Sequence, residues 1–162
     1  FEKFFIVNIY AQNSGERDLK NADARAKFDD HFFNRLQELK KTRKEIIVTG
    51  DFNVVHLPID TSNFVRQHNK VPGVLDFEMD NFQKLLNSGF INTFRYLYPK
   101  KVKYTYYSYL HRARALGKGM MIDYFLVTPG LIDHVSDVKV LDNIYGSDHI
   151  PLELIINEKK LF

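Results

Sequence analysis

A set of carboxylate, amide, phenol and imidazole side chains lies at the ends of apolar segments in this sequence. Its members are Asn8, Tyr10, Asn13, Asp51, Asn53, Asp123, Asp148 and His149. A polar cap or a buried hydrogen-bonded turn explains each position taken alone, because a polar group beside an apolar strand is costly unless a partner compensates it. Four such positions at the ends of four predicted strands are better explained by one shared site.

The residue types in this set favour hydrolysis of a phosphodiester. Carboxylate and amide oxygens are the ligands that Mg²⁺ or Mn²⁺ prefers. A histidine oriented by a carboxylate, together with a second carboxylate that accepts a proton from water, supports metal-assisted hydrolysis of phosphate esters. The residues by themselves therefore predict a metal-dependent phosphoesterase.

The composition is that of one globular domain with a substantial core. The chain has 162 residues, of which 44% are hydrophobic and 27% charged, values that are ordinary for such proteins. No apolar run approaches the ~20 residues of a membrane span, so we expect no membrane partner. Because the sequence contains no cysteine, disulfides, thiolate metal sites and cysteine nucleophiles are excluded.

The positive charge is concentrated in segments that we predict to be loops. The net charge is only +3, but basic side chains gather in residues 66–70, 100–103 and 111–118. Such clusters suit a polyanionic partner, although a solvated loop explains any one of them equally well.

Hydrophobic periodicity predicts six strands and two helices. The strands are expected at residues 3–10, 45–50, 102–109, 121–128, 135–141 and 151–156. The helices are expected at 21–41, with an apolar stripe of Phe28, Phe32, Leu36 and Leu39, and at 76–87, ended by Gly89. Residues 56–73 lack periodicity and are predicted to form a long functional loop. Interleaved helices and strands indicate a layered α/β domain.

Three motifs resemble those of the endonuclease/exonuclease/phosphatase superfamily, in the same order along the chain. They are IVTGDFNV at 47–54, IDYFLV at 122–127 and GSDHIPL at 146–152. Further segments resemble the exonuclease III branch, the class II apurinic/apyrimidinic endonucleases: residues 7–10 with 13–15, 94–99 and 104–109. The resemblance extends almost from Phe1 to Ile156.

The resemblance implies a catalytic role for five residues. Asp51 would accept the proton of the attacking water, and Asn53 would orient that water and stabilise the charged phosphorane. His149, held by Asp123, would contact the scissile phosphate, to which Tyr10 would donate a hydrogen bond. A divalent metal, Mg²⁺ or Mn²⁺, would be bound by residues drawn from a partly overlapping set: Asp51, Asn53, Asp148 and His149.

The resemblance also implies how the substrate would be bound. Asn13 and Arg17 would contact the DNA backbone. Tyr106, Met120 and Ile122 would line the pocket for an abasic sugar flipped out of the duplex. Met120 stands where the animal enzymes carry a tryptophan, so aromatic packing around the sugar is not expected here, although methionine adapts well to irregular pockets.

The implied fold is part of a four-layer α/β sandwich, in which two packed, mostly antiparallel sheets are flanked by helices and the N-terminal portion is absent. Residues 1–162 would form the C-terminal portion of a single domain, because the chain begins with Phe1 inside a predicted strand. Family members carry the glutamate that anchors the principal metal in their first half. Activity would therefore need the N-terminal half of the same enzyme as a partner.

The expected function is DNA repair by incision 5′ to an abasic site in double-stranded DNA, in the nucleus of a eukaryote or the cytoplasm of a bacterium. Two alternatives remain open at this point. One is another phosphoesterase of the superfamily, such as a retroelement endonuclease or a phosphatase. The other is a catalytically inactive DNA-binding or assembly fragment.

Overall fold

The structure is a computed structural model that describes residues 1–15 and 18–157. The described residues form six strands: β1 Phe4–Tyr10, β2 Glu45–Asp51, β3 Ile91–Asn92, β4 Asp123–Val127, β5 Val135–Val140 and β6 Leu152–Ile156. They also form five α-helices: α1 Ala22–Lys40, α2 Phe64–Gln67, α3 Asp76–Asn87, α4 Thr93–Leu97 and α5 Pro129–Ile132. None of these helices combines the length and the apolar character that a membrane crossing requires.

The strands form two sheets. The first has the order β1-β2-β4-β3, in which β1 and β2 are parallel and the other neighbours antiparallel. The second is the antiparallel pair β5-β6, which contacts the first sheet through β4 and also contacts α4. Two mostly antiparallel sheets with helices are the arrangement that the family resemblance implies.

The core lies between the first sheet and the two long helices. Strand β2 is buried along Ile46, Ile47 and Val48, as expected for a strand covered on both faces. Helix α1 packs against β2 and α3 through its predicted apolar stripe, of which Leu36 is completely buried. Burial of these apolar faces is what fixes the ends of β1, β2 and β4 relative to one another.

One predicted strand is wrong and one short strand was not predicted. Residues 102–109 are rich in β-branched and aromatic residues, yet only Tyr106 makes ladder-type bridges, to Met120 and His149. The backbone of this segment divides its hydrogen bonds between two parts of the chain. The N–H groups of Thr105 and Tyr106 donate to the carbonyl of Met120, whereas the N–H of Tyr107 donates to the carbonyl of Asp148. No continuous ladder can form. Strand β3 has two residues, too few to produce a readable alternation.

The predicted loop 56–73 and several element ends also differ from expectation. The loop contains a 3-10 helix at Pro58–Asp60 and the single-turn helix α2, both too short to give a periodic signal. Strand β2 ends at Asp51, one residue later than expected. Strand β4 begins at Asp123, so this residue stands at the start of the strand and not within it. Gly89, with φ +102°, lies two residues beyond α3, where a left-handed backbone favours glycine.

Candidate active site

A cleft of about 920 Å³ opens where β1 and β2 end and β4 begins. It brings together nearly all of the predicted site residues: Tyr10, Asn13, Asp51, Asn53, Tyr106, Met120, Ile122, Asp148 and His149. Asp123 lies behind His149 and bonds to it. Arg17, also predicted to bind substrate, lies outside the described residues. The predicted residues therefore share one concave surface, although they come from five separate segments of the chain.

The strand register places the acidic groups. Tyr10 is opposite Asp51 in the parallel pair β1–β2, and Asp51 is opposite Asp123 in the antiparallel pair β2–β4. A one-residue slip in either pair would move these side chains to different faces of the sheet. Two carboxylates on adjacent strands repel each other, and this repulsion affects protonation in the cleft.

Asp51 has a perturbed acidity. Burial is the main cause that raises its pKa, and the nearby charge of Asp123 adds to it, so that the pKa rises from 3.8 to about 6. The backbone N–H of Asn53, which donates to Asp51 Oδ1 at 2.8 Å, opposes this rise. A carboxylate with a pKa of about 6 is much closer to an effective general base at neutral pH than an ordinary aspartate.

His149 is oriented by Asp123. Its Nδ1 lies 2.9 Å from Asp123 Oδ2 and 3.1 Å from Oδ1, so Nδ1 carries the donated proton and Nε2 points toward Asp51. The hydrogen bond to Asp123 is the largest cause that raises the pKa of His149 above 6.5. The 3.9 Å separation between Nε2 and Asp51 Oδ2 is too long for a hydrogen bond. Both groups therefore face the cleft side by side.

Asn53 is held in a fixed position between two loops. Its φ of +48° lies in the left-handed region, which asparagine tolerates better than most residues. Its side-chain amide donates to the carbonyl of Ala11 at 2.8 Å, and its Oδ1 accepts from Asn13 at 3.2 Å. The position of Asn53 is therefore defined by the loop after β1 as well as by β2.

Part of the cleft lining is apolar. Met120 and Ile122 are nearly buried and pack with Val55 and Val74. The ring of Tyr106 stands 5.1 Å from that of His149, centroid to centroid. The cleft thus combines a hydrogen-bonding acidic wall with an apolar wall.

Two of the three basic segments reach the cleft. Arg66 and Lys118 line it. Residues 100–103 do not line it: the Lys101 ammonium lies over the ring of Tyr98, and Lys103 pairs with Asp142. The structure therefore brings basic side chains of the segments 66–70 and 111–118 to the cleft, and not those of residues 100–103.

Three buried polar residues that support the site escaped the sequence reasoning. Thr105 accepts the backbone N–H groups of Ile122 and Asp123 on its Oγ1, at 3.0 and 3.1 Å. Arg25 and Glu78 bind the loops beneath the cleft. A signal existed for Arg25, because it stands three residues before Phe28 and so continues the apolar stripe of α1.

The described residues do not complete a metal site by themselves. Asp51, Asn53, Asp148 and His149 all line the cleft, but the described parts of the chain contain no group of three histidine, aspartate or glutamate side chains able to hold a metal ion. Asn53 Oδ1 already accepts from Asn13, and His149 Nδ1 is bound to Asp123. A six-coordinate hard cation here would take its remaining ligands from water, substrate or other protein groups.

The sequence matches the Endonuclease/Exonuclease/phosphatase family over residues 3–149. The chain belongs to this family. The match contains the strands β1, β2 and β4 and ends at His149, so it includes all five residues that are predicted to be catalytic.

Nucleases from a bacterium and a vertebrate are similar in sequence to almost the whole of this chain. The exodeoxyribonuclease of Bacillus subtilis (strain 168) is 36% identical over 158 residues, covering 97% of this chain and 62% of that protein. The DNA repair nuclease APEX1 of Danio rerio is 35% identical over 157 residues, covering 96% of this chain and 50% of that protein. This chain thus spans less than two thirds of the length of either relative.

Solved structures have the same fold. An AP endonuclease from Archaeoglobus fulgidus superposes with a TM-score of 0.87 at 23% identity, over 95% of this chain and 62% of that one. AP endonuclease LMAP from Leishmania major gives a TM-score of 0.88 at 26% identity, over 93% and 49%. The predicted partial α/β sandwich is confirmed.

Proposed function

We propose that this chain is the C-terminal portion of a DNA-repair nuclease that hydrolyses the phosphodiester bond 5′ to an abasic site. The observation that carries the proposal is the arrangement of Asp51, Asp123 and His149, which places a raised-pKa carboxylate beside a carboxylate-bound imidazole. Two relatives, named DNA repair nuclease and DNA-(apurinic or apyrimidinic site) endonuclease, favour this substrate over others.

In the proposed reaction the water oxygen bonds to phosphorus, the P–O3′ bond breaks, and the 3′ oxygen leaves and takes a proton from solvent. Asp51 and His149 act at two different places in this reaction. Asp51 Oδ2 accepts a proton from the attacking water while Oδ1 stays bound to the N–H of Asn53. Because Asp123 occupies Nδ1 of His149, Nε2 donates to a phosphate oxygen on which negative charge develops. Hydrogen bonds aimed at that charge lower the barrier more than they strengthen ground-state binding.

The remaining cleft residues suit an extruded abasic sugar and its phosphates. Tyr10, which is 76% exposed, presents its hydroxyl at the cleft edge, where it would donate to a phosphate oxygen. Asn13, and Arg17 beyond the described residues, would bind the DNA backbone. The apolar wall of Tyr106, Met120 and Ile122 suits a deoxyribose that carries no base.

We propose Mg²⁺ (or Mn²⁺) as the cofactor, with part of its ligands outside this chain. Asp51, Asn53 and Asp148 supply oxygen atoms to the cleft, and His149 stands beside them, but these groups do not amount to a complete site. The proposed N-terminal half of the enzyme would supply the rest. The reaction steps assigned above belong to the residues of this chain.

The surface near β1 supports a partner that completes the sandwich. Strand β1 lies at the edge of the first sheet, so one row of its backbone groups is available for pairing. Ile6 on this strand is 51% exposed, and Phe1 just before it is 78% exposed. A second polypeptide segment that covers this edge would bury both side chains. The N-terminal half of the same enzyme is the partner that we propose here.

Several expectations stay predictions. They are the roles of the individual site residues, the metal cofactor, the need for an N-terminal half, the assignment of residues 1–162 to one domain portion, the specificity for abasic sites, and a nuclear location in a eukaryote or a cytoplasmic one in a bacterium. The alternatives are a phosphatase or retroelement endonuclease of the same family and a catalytically inactive DNA-binding fragment.

One assay separates these possibilities. The chain is incubated with Mg²⁺ and a duplex that carries one abasic site, with and without the upstream half of the enzyme, and an intact duplex and an inositol phosphate serve as competing substrates. We expect incision 5′ to the abasic site only with both halves. Cleavage of the intact duplex or the inositol phosphate instead would favour the alternative enzymes. No cleavage of any substrate by the two halves together would contradict the proposal.

A further inference from the structure

Arg25 is a buried arginine that reaches two of the loops forming the cleft. It lies on α1 with 2% of its surface exposed. Its guanidinium donates to the carbonyls of Gln12 at 3.0 Å, Phe52 at 2.9 Å and Asn53 at 3.2 Å. Its Nε donates to Asp29 at 2.8 Å. The rigid fork of donors in arginine is suited to bind several fixed acceptors at once.

Glu78 is the acidic counterpart on α3 and reaches a third loop. It is completely buried, and its Oε2 accepts the backbone N–H groups of Gly73 at 2.6 Å and Leu75 at 3.2 Å. Its Oε1 accepts the hydroxyl of Ser14 and lies 4.0 Å from Arg25 Nη1. The two side chains therefore form one connected group beneath the cleft.

The segments held by this group carry cleft residues. Residues 11–15 present Asn13 to the cleft, residues 52–55 present Asn53, and residues 71–73 line part of it. Arg25 and Glu78 do not line the cleft themselves. They are placed to determine how the loops stand relative to one another, including the 3.2 Å hydrogen bond between Asn13 and Asn53.

We propose that Arg25 and Glu78 are positioning residues that hold the three cleft loops in their catalytic arrangement, an inference that rests on the proposed function. A buried ion pair adds little stability relative to apolar residues of the same volume, because desolvation offsets the attraction. Here the polar groups bind loop backbone at five points. Such contacts define loop geometry, which an apolar pair could not do.

A matched control for Arg25 exists within the chain. Arg95 on α4 is also buried and pairs with a buried carboxylate, Asp60. Its Nη1 donates to the carbonyls of Tyr98 and Lys101, in a segment that does not line the cleft. Arg25→Lys and Arg95→Lys thus remove the same kind of contact at two places that differ in their relation to the cleft.

The test is amide hydrogen exchange of the chain, a measurement that needs no catalysis. In Arg25→Lys we expect exchange at Asn53, Val55 and Gly73 to accelerate by about tenfold or more, because local opening becomes easier when the loop anchors are lost. In Arg95→Lys we expect faster exchange at Tyr98 and Lys101 instead. Equal acceleration of both groups of amides in both variants, or unchanged exchange at the cleft amides in Arg25→Lys, would overturn the proposal.

A second variant keeps the test informative if Arg25→Lys fails to fold. Glu78→Met keeps a similar volume but removes the carboxylate oxygen that accepts the N–H groups of Gly73 and Leu75. We expect faster exchange at those two amides, and unchanged exchange there would overturn the proposal.

Kinetic measurements test whether the contacts of Arg25 and Glu78 with the loops matter for catalysis. In the nuclease containing both halves, Arg25→Lys should lower kcat by about tenfold or more with little change in KM, because the displaced loop residues act on the transition state. Arg95→Lys should leave kcat and KM near the values of the unchanged enzyme. Similar losses in the two variants would overturn the catalytic role. If the unchanged enzyme does not cleave abasic DNA, the proposed function fails. The hydrogen-exchange result still shows whether Arg25 and Glu78 hold the three loops in place.

Discussion

Asp123 and His149, 26 residues apart in the sequence, are joined by a hydrogen bond of 2.9 Å between Oδ2 and Nδ1. This contact is the one expected from an aspartate in an apolar segment and a histidine just before another. The two residues are not on paired strands, since His149 precedes β6 and bridges to Tyr106. Their hydrogen bond fixes which imidazole nitrogen faces the cleft.

The first prediction concerns the acidity of His149. Asp123→Asn removes the carboxylate that raises the pKa of His149, so this pKa should fall toward or below 6.5. A titration of the imidazole by NMR in metal-free buffer measures it. Asp80→Asn, an exposed change on α3, is the control and should leave the pKa unaltered. An unchanged pKa in Asp123→Asn would show that the hydrogen bond does not control the protonation of His149.

The second prediction is that Asp51, the proposed general base, destabilises the fold. The pKa of Asp51 is raised in the folded protein to about 6 from 3.8, so folding favours its protonated form. The resulting penalty is fully present above pH 6 and disappears as the pH falls toward 4. Asp51→Asn should therefore stabilise the metal-free chain at pH 8 by roughly 1–3 kcal/mol.

Urea unfolding at pH 8 and at pH 4 measures this effect. The gain from Asp51→Asn should shrink strongly at the lower pH, and Asp80→Asn should change stability little at either. A variant that is less stable than the unchanged chain at pH 8 would refute the assignment of Asp51 as an electrostatically strained group.

The third prediction distinguishes the basic segments. Arg66→Ala and Lys118→Ala should each weaken binding to abasic duplex and reduce the slope of log affinity against log salt by about 1, because each loses a phosphate contact. The pair Lys100→Ala with Lys101→Ala serves as the matched control, since residues 100–103 lie outside the cleft. Fluorescence anisotropy over a range of salt concentrations measures the slopes. Equal slopes in all variants would exclude a cleft-specific DNA path.

The sequence predicted which polar residues gather in the cleft because each stands at or near the end of an apolar run, and the family resemblance then implied their roles. Asp51, Asp123 and His149 could be read in this way, and the register of β2 with β4 then brings the first two together. The two long helices were predicted for a similar reason, since the apolar stripe of α1 and the moderate amphipathicity of α3 extend over several turns.

The supporting residues could not be predicted in this way. Thr105 and Glu78 act through backbone N–H groups of loops that only the tertiary fold brings near. The segment 102–109 has β-forming residues but divides its hydrogen bonds between two partners. Such positions depend on long-range packing, which overrides local preference.

The central claim is that Asp51 and His149 carry out the hydrolysis of a phosphodiester in this cleft. Single-turnover incision of an abasic duplex by the nuclease containing both halves tests it most directly, with Asp51→Asn and His149→Ala compared with Asp80→Asn. We predict a fall in rate of roughly a thousandfold or more for each cleft variant, a near-normal rate for Asp80→Asn, and abasic-DNA affinity altered much less than the rate. Near-normal incision by either cleft variant would contradict the account.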